Sequence, residues 1–237
     1  GALLAVMPYL VLGLAAALVL GAQFTALSFG SETARSLGQD QGLWRIAAAL
    51  IVVLLAGGSV AIAGPLGFIG LIVPHMARLV VGGSYSRIVP VALLGGAALA
   101  LAADTAPRAI WNNDIPVGIT MAVLGAPFDA GTQWRSGARR GGFDLAGPAA
   151  VGAGALSRAV LGLGAALVLC FGLALCLGAE PLRPGQVLAA LTGATAAAAP
   201  DPIAETIVWS LRFPRAVLGA LVGAALGIAG SVTPAVM

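Results

Sequence analysis

Few side chains in this sequence can do chemistry, and most of those are arginine. One histidine, His75, stands alone, while Cys170 and Cys176 lie six apart in a single apolar run and off a shared helical face. A metal centre needs several Cys, His, Asp or Glu side chains at ligand spacing, and a phosphate-binding loop needs its lysine, and neither set is present. His75 therefore reads as a hydrogen-bonded histidine at a helix end, and the cysteines as small packing residues. No pair of acids lies at the middle of an apolar run, so a proton or sodium relay lacks its usual residues. The expectation is no catalytic residue, no metal and no bound cofactor.

The chain carries 12 basic residues, all arginine. Arginine forms two-pronged hydrogen bonds to carboxylates, which suits it to docking an acidic partner. Arg108 follows Asp104 by four residues, a spacing that pairs along one helix face. Arg212 and Arg215 bracket Pro214, where they suit either docking or anchoring a helix at the lipid headgroups.

The elements that must position these arginines are membrane helices. Of 237 residues, 59% are hydrophobic and 9% charged, with a mean hydropathy of +1.02. Soluble domains carry about 25% charged residues, so an all-α polytopic transmembrane bundle is expected. The scattered arginines fit membrane topology and exclude a nucleic-acid footprint. Apolar runs at 2–27, 46–63, 66–82, 88–106, 115–128, 159–178 and 216–237 are the candidate spans. The fifth, at 14 residues, is short for a bilayer that asks for about 20. Gly1 is not an initiator methionine, and Met237 lies in or just after an apolar run, so a fragment with both ends missing is expected.

The third run is unusual. In AGPLGFIGLIVPHMAR (63–78), Pro65 and Pro74 with Gly64, Gly67 and Gly70 interrupt an otherwise apolar helix. Such breaks are tolerated in a bilayer where protein or a water-lined cavity satisfies the freed backbone groups. Close helix packing through the glycines is the other reading. Between the first two spans, SETARSLG suits a compact surface helix capped by Ser31 and ended by Gly38, or a solvated loop. Residues 129–157 are polar, glycine-rich and basic, and read as a linker. Residues 179–210 hold four prolines and are expected to form an irregular excursion with one short surface helix. The glycines at 219, 223 and 227 place small residues on one helix face, permitting close packing. If the 29–45 loop is cytoplasmic, eight arginines fall inside and four outside (Arg108, Arg183, Arg212 and Arg215), as the positive-inside rule prefers.

AGPLGFIGLIVPHMAR resembles the signature of the FecCD family, the permeases of type II ABC importers for ferric siderophores, haem and cobalamin. SETARSLG, IPVGITMAVLGAPF and LRFPRAVLGALVGAALGIAG fit the same family. The last belongs near the start of a permease. The resemblance therefore implies that 1–134 is the C-terminal half of one unit, 135–157 a cytoplasmic linker and 158–237 the start of a second, as in fused ferric-hydroxamate permeases. It further implies coupling to ATPase subunits through Ser31, Glu32, Ala34, Arg35, Leu37 and Gly38. Docking of a substrate-binding protein would fall to Arg108, Arg212 and Arg215, serving opposite lobes of that partner or pairing with arginines outside this fragment, and the translocation pathway would be lined at Gly64, Pro65, Gly67, Gly70 and Pro74.

The family's partners would be cytoplasmic ATP-binding subunits, which use the ATP, and a periplasmic or lipid-anchored substrate-binding protein. Membrane lipid surrounds the chain, and no nucleic acid is involved. The implied location is the bacterial inner (plasma) membrane, with several passes. Two departures stand out: polar residues from Asp129 follow GAPF, where the family stays hydrophobic, and Pro234 stands where the family has a glutamine. A ferric siderophore is the expected substrate, and cobalamin or haem the next. An ion-coupled secondary transporter or channel and a non-transporting membrane scaffold are the readings from other classes.

Overall fold

The computed structural model describes residues 2–28, 41–64, 68–82, 84–111, 117–123, 125–126, 154–178, 182–192 and 202–236. The proposed coupling stretch Ser31–Gly38, Pro65, Gly67 and most of the linker lie outside them. The described residues are all-α. The helices are α1 (Ala2–Ser28), α2 (Gln41–Ala63), α3 (Ile69–Val81), α4 (Tyr85–Trp111), α5 (Gly154–Cys176), α6 (Pro184–Thr192), α7 (Pro202–Ile207) and α8 (Phe213–Val236), with a π-helical turn over Val208–Arg212. A short helical stretch also covers 117–123.

The antiparallel pair α4 and α8 forms the centre. Residues 222–229 of α8 are buried throughout, and the reason is in the small side chains. A Cβ on Gly96 would overlap the carbonyl of Gly223, one on Gly223 would overlap the carbonyl of Gly96, and one on Gly227 would overlap the carbonyl of Ala92. The two backbones therefore approach to contact distance. Lipid tails are as apolar as leucine, so association in a bilayer relies on such close van der Waals contact rather than on expelling water. The packing face foreseen from 219, 223 and 227 is realised at Gly223 and Gly227, whereas a Cβ at Gly219 would meet only Leu101 at an ordinary 3.6 Å.

Flanking helices close around that pair. Leu10, Leu14 and Ala17 of α1 and Ala48, Ile51 and Leu55 of α2 share a cluster with Ala224, Ala225, Ile228, Ala229 and Val232 of α8. On the other side α5 meets α4 and α8 through Ala174, Leu101 and Ala216. Outward faces stay apolar: Val168 and Leu161 of α5 are 73% and 72% exposed, and Val53 of α2 67%. Four described helices are long and apolar enough to cross a bilayer, within Gly42–Ala63, Tyr85–Ala109, Leu156–Cys176 and Ala204–Thr233. Hydroxyls inside the bundle bond back to their own helices, Ser59 to the Leu55 carbonyl (2.6 Å) and Thr105 to that of Leu101 (2.7 Å). This removes the penalty of an unpaired polar group in an apolar medium.

The structure corrects three expectations from the sequence. The third run does not fill 66–82 as one span, because α3 has 13 residues, about 20 Å at 1.5 Å per residue, against roughly 30 Å of hydrocarbon. The chain breaks ahead of it, with Gly64 at φ 76° and Phe68 at φ 70°. Residues 179–210 are more ordered than an irregular excursion with one helix: α6, α7 and the π turn occupy much of the stretch, and helix runs without interruption from 202 to 236. Its wide turn precedes Pro214. Proline lacks an N–H and crowds the preceding turn, and an i→i−5 bond from the Phe213 N–H to the Val208 carbonyl opens the helix there. Finally, α5 begins at Gly154, inside the stretch read as linker, with Arg158 Nε donating to the Gly154 carbonyl at 3.2 Å.

Candidate functional site

Two places gather the residues singled out above. The first is the break before α3. Gly64 takes a left-handed conformation that suits glycine, and Phe68, a residue type that seldom tolerates positive φ, caps α3 through bonds from the Leu71 and Ile72 N–H groups to its carbonyl (3.0 and 2.8 Å). A non-glycine residue held there costs about 1–3 kcal/mol and persists only where surroundings hold it. Here the holding contact is Gly125, whose missing side chain leaves room for the Phe68 ring. Met121, one helical turn earlier, is fully buried with Ile69 and Val73. Two stretches 50 residues apart in sequence, around 63–78 and 115–128, thus meet at one spot.

The glycine and proline of α3 act together. Pro74 is buried and has no N–H, so the Gly70 carbonyl loses its usual helical donor. That carbonyl faces Gly230 of α8, where a Cβ would overlap it. A glycine at 230 leaves its Cα–H against the oxygen, a weak but recurrent contact at helix crossings. Of the five residues expected along a pathway, Gly70 is therefore seated in the α3–α8 crossing, Pro74 is buried one turn further along α3, and Gly64 stands at the break.

The second place is the end of the bundle formed by the C-termini of α4 and α5 and the N-terminal turn of α8. Asp104 is the centre. Arg108, one turn on, pairs with Asp104 Oδ2 and donates from Nε to the Asp104 backbone carbonyl at 3.0 Å. From the facing helix, Arg215 Nη2 reaches Asp104 Oδ1 at 3.0 Å. The side chains of Asp104 and Arg108 are each 11% exposed, and that of Arg215 is 50% exposed. The sequence spacing anticipated the pair within α4, and only the packing of α8 revealed the third member. Arg108 and Arg215 are thus drawn to one carboxylate. The glycine seam accounts for this by laying the N-terminus of α8 alongside the C-terminus of α4.

Arg212 has a different setting. It is 8% exposed and donates from Nη1 to the carbonyls of Leu175 and Cys176 at 2.7 and 3.0 Å. Both belong to the last turn of α5, whose carbonyls have no donor within the helix and where the helix dipole also favours a cation; that of Cys176 accepts from the Leu182 N–H as well, at 3.1 Å. Gly178 makes room, since a Cβ there would lie 2.9 Å from Arg212 Nη2. Of the three arginines expected to dock a partner, Arg215 is accordingly the most exposed. Nearby, Trp209 Nε1 donates to the Ala190 carbonyl at 3.0 Å, and its ring packs on Phe213, which meets Phe171 edge-on. The opposite end of the bundle carries Arg78, over the Tyr85 ring, and Arg87 and Arg158, where the ends of α3, α4 and α5 join through Val81, Ile88 and Leu156. Among the described residues Arg78, Arg87 and Arg158 thus lie at one end, and Arg108, Arg212 and Arg215 at the other. Among the described residues no group of three or more His, Cys, Asp or Glu side chains could hold a metal.

A helical bundle with apolar outer faces, glycine-packed central helices and, among the described residues, charge gathered toward its ends is a polytopic membrane protein. Comparison with known proteins narrows this: the model of the FecCD transport family matches residues 1–128 and 166–237, and the chain belongs to that family. It is 43% identical over 122 residues to the Fe(3+)-citrate import system permease protein YfmD of Bacillus subtilis, a match covering 51% of this chain and 37% of that protein. It is 42% identical over 126 residues to the probable siderophore transport system permease protein YfiZ of the same organism, covering 53% and 38%. It is 40% identical over 124 residues to the cobalamin import system permease protein BtuC of Halobacterium salinarum, covering 52% and 33%. The chain thus matches about a third of the length of these relatives. No solved structure matches it. Members of the family are multi-pass permeases of the inner membrane and not enzymes.

Proposed function

We propose that the chain is the junction of two fused permease units in an ATP-driven importer that carries a ferric siderophore across the inner membrane. The observation that carries this reading is the paired family match, 1–128 and 166–237, separated by the polar stretch in between. In this reading 1–134 ends the first unit, 135–157 is a cytoplasmic linker and 158–237 begins the second. Residues Ser31, Glu32, Ala34, Arg35, Leu37 and Gly38 transmit ATP-driven movement from partner ATPase subunits. Arg215 presents the docking surface for a substrate-binding protein, with Arg108 holding the Asp104 beside it and Arg212 bracing the helix that carries Arg215. The break at Gly64–Phe68 borders the pathway, with Gly70 and Pro74 in the adjoining α3, and open space beside Gly64 leaves room for a bulky ligand.

The test is uptake of a radiolabelled ferric hydroxamate by the full-length protein reconstituted with its ATPase and binding protein. ATP-dependent uptake is expected, and substitution of Glu32 and Arg35 should abolish it while the complex still assembles. Flux that follows an ion gradient without the ATPase would overturn the importer reading. A second substrate reading, cobalamin, is favoured by the similarity to the Halobacterium permease, and competition by cobalamin for the same uptake would select it.

A further inference from the structure

Asp104 is shared by two arginines that differ sharply in access to solvent. Arg108 is nearly buried and held by both the side chain and the backbone carbonyl of Asp104, all within α4. Arg215 is half exposed, comes from α8, and meets the opposite carboxylate oxygen. An acid arriving from solvent can therefore reach Arg215 but not Arg108. The Asp104–Arg215 contact also ties the ends of α4 and α8 across the interface, just beyond the glycine contacts of Gly96 with Gly223, where backbone meets backbone without interlocking side chains.

We propose that Asp104 is an internal stand-in for a partner's carboxylate: docking of an acidic protein surface exchanges one carboxylate for another on Arg215, and releases the tie between α4 and α8. The inference rests on the docking reading above and adds to it a competitor and a consequence. Arg108 holds Asp104 in place while Arg215 is away, so the tie re-forms when the partner leaves. Exchange suits a contact that must be made and broken in every transport cycle, because neither arginine is left without an acceptor in either state.

The experiment uses the full-length permease with its ATPase subunits in nanodiscs, and measures the affinity of the importer's own substrate-binding protein, loaded with its ferric ligand. Arg215→Ala should weaken binding about tenfold, the effect of losing a charged hydrogen bond. Asp104→Asn, which removes the competitor, should tighten it roughly two- to fivefold, the range of an exposed ion pair, and Asp104→Glu should restore wild-type affinity. If Arg215→Ala leaves affinity unchanged, the docking reading itself fails. If Arg215→Ala weakens binding but Asp104→Asn leaves it unchanged or weaker, docking stands and the exchange is overturned. A second readout needs no change at Asp104. Spin labels at Ala109 and Leu211, both exposed, with Cys170 and Cys176 replaced by serine, should move apart when the binding protein is added, and an unchanged distance would overturn the proposal.

Discussion

Replacing Gly223 by alanine tests whether the backbone contact between α4 and α8 holds the bundle together. The new methyl would overlap the Gly96 carbonyl oxygen, lie 2.8 Å from its carbon and press on Ala100. Carbon atoms settle at about 3.5–4.0 Å, so the helices must part by roughly 1 Å, and a gap of 0.5–1 Å forfeits about a quarter to a half of each contact across the seam. With Val222, Leu226 and Leu101 buried along it, the expected loss is about 2–3 kcal/mol, the upper part of the range for overpacking. No hydrophobic gain offsets this in a bilayer, since parted helices meet lipid instead of water. The assay is denaturant unfolding of the purified full-length permease in micelles. Gly172→Ala on α5 is the control: nothing lies within 4 Å of a Cβ there, and helix propensity alone should leave stability unchanged or raise it by up to about 1 kcal/mol. If Gly223→Ala unfolds at the same midpoint as the wild type, the seam does not hold the two helices and the reasoning fails.

Three further outcomes follow from named contacts. Arg212→Ala should destabilise by about 1.5–3 kcal/mol, the worth of hydrogen bonds to a charged group, and should loosen the end of α5, read as faster hydrogen exchange near Cys176. Gly125→Ala should displace the Phe68 ring and cost about 1–3 kcal/mol, whereas Gly162→Ala, in open space, should not. Trp209→Phe keeps an aromatic ring beside Phe213 but removes the donor to Ala190. It should cost about 0.5–1.5 kcal/mol and raise exchange in α6.

Much of the architecture was readable along the chain, because a bilayer imposes simple demands. Every backbone group must be satisfied within a helix, and about 20 apolar residues are needed to cross, so the runs near 46–63, 88–106 and 159–178 announced α2, α4 and α5. Where proline intervened, reading by hydropathy failed in both directions. It overran at 66–82, where Gly64 and Phe68 break the chain, and it underestimated 202–236, where Pro214 is absorbed by a π turn and the helix continues. Proline signals a lost hydrogen bond, but whether the helix stops or widens depends on what packs around it.

The candidate site divides along the same line. The Asp104–Arg108 spacing and the small residues of α8 are local patterns, visible because helical periodicity puts residues four apart on one face. The sequence by itself determined that this is an all-helical membrane protein, which residues carry its charge, and which motifs mark its family. Tertiary structure alone decided that Arg215 shares Asp104, that Arg212 caps α5 instead of lining an open rim, and that Phe68 rests on Gly125. Those assignments depend on which helices become neighbours and how closely they approach. That approach is set by whole surfaces fitting together, which the spacing of residues along one chain does not encode.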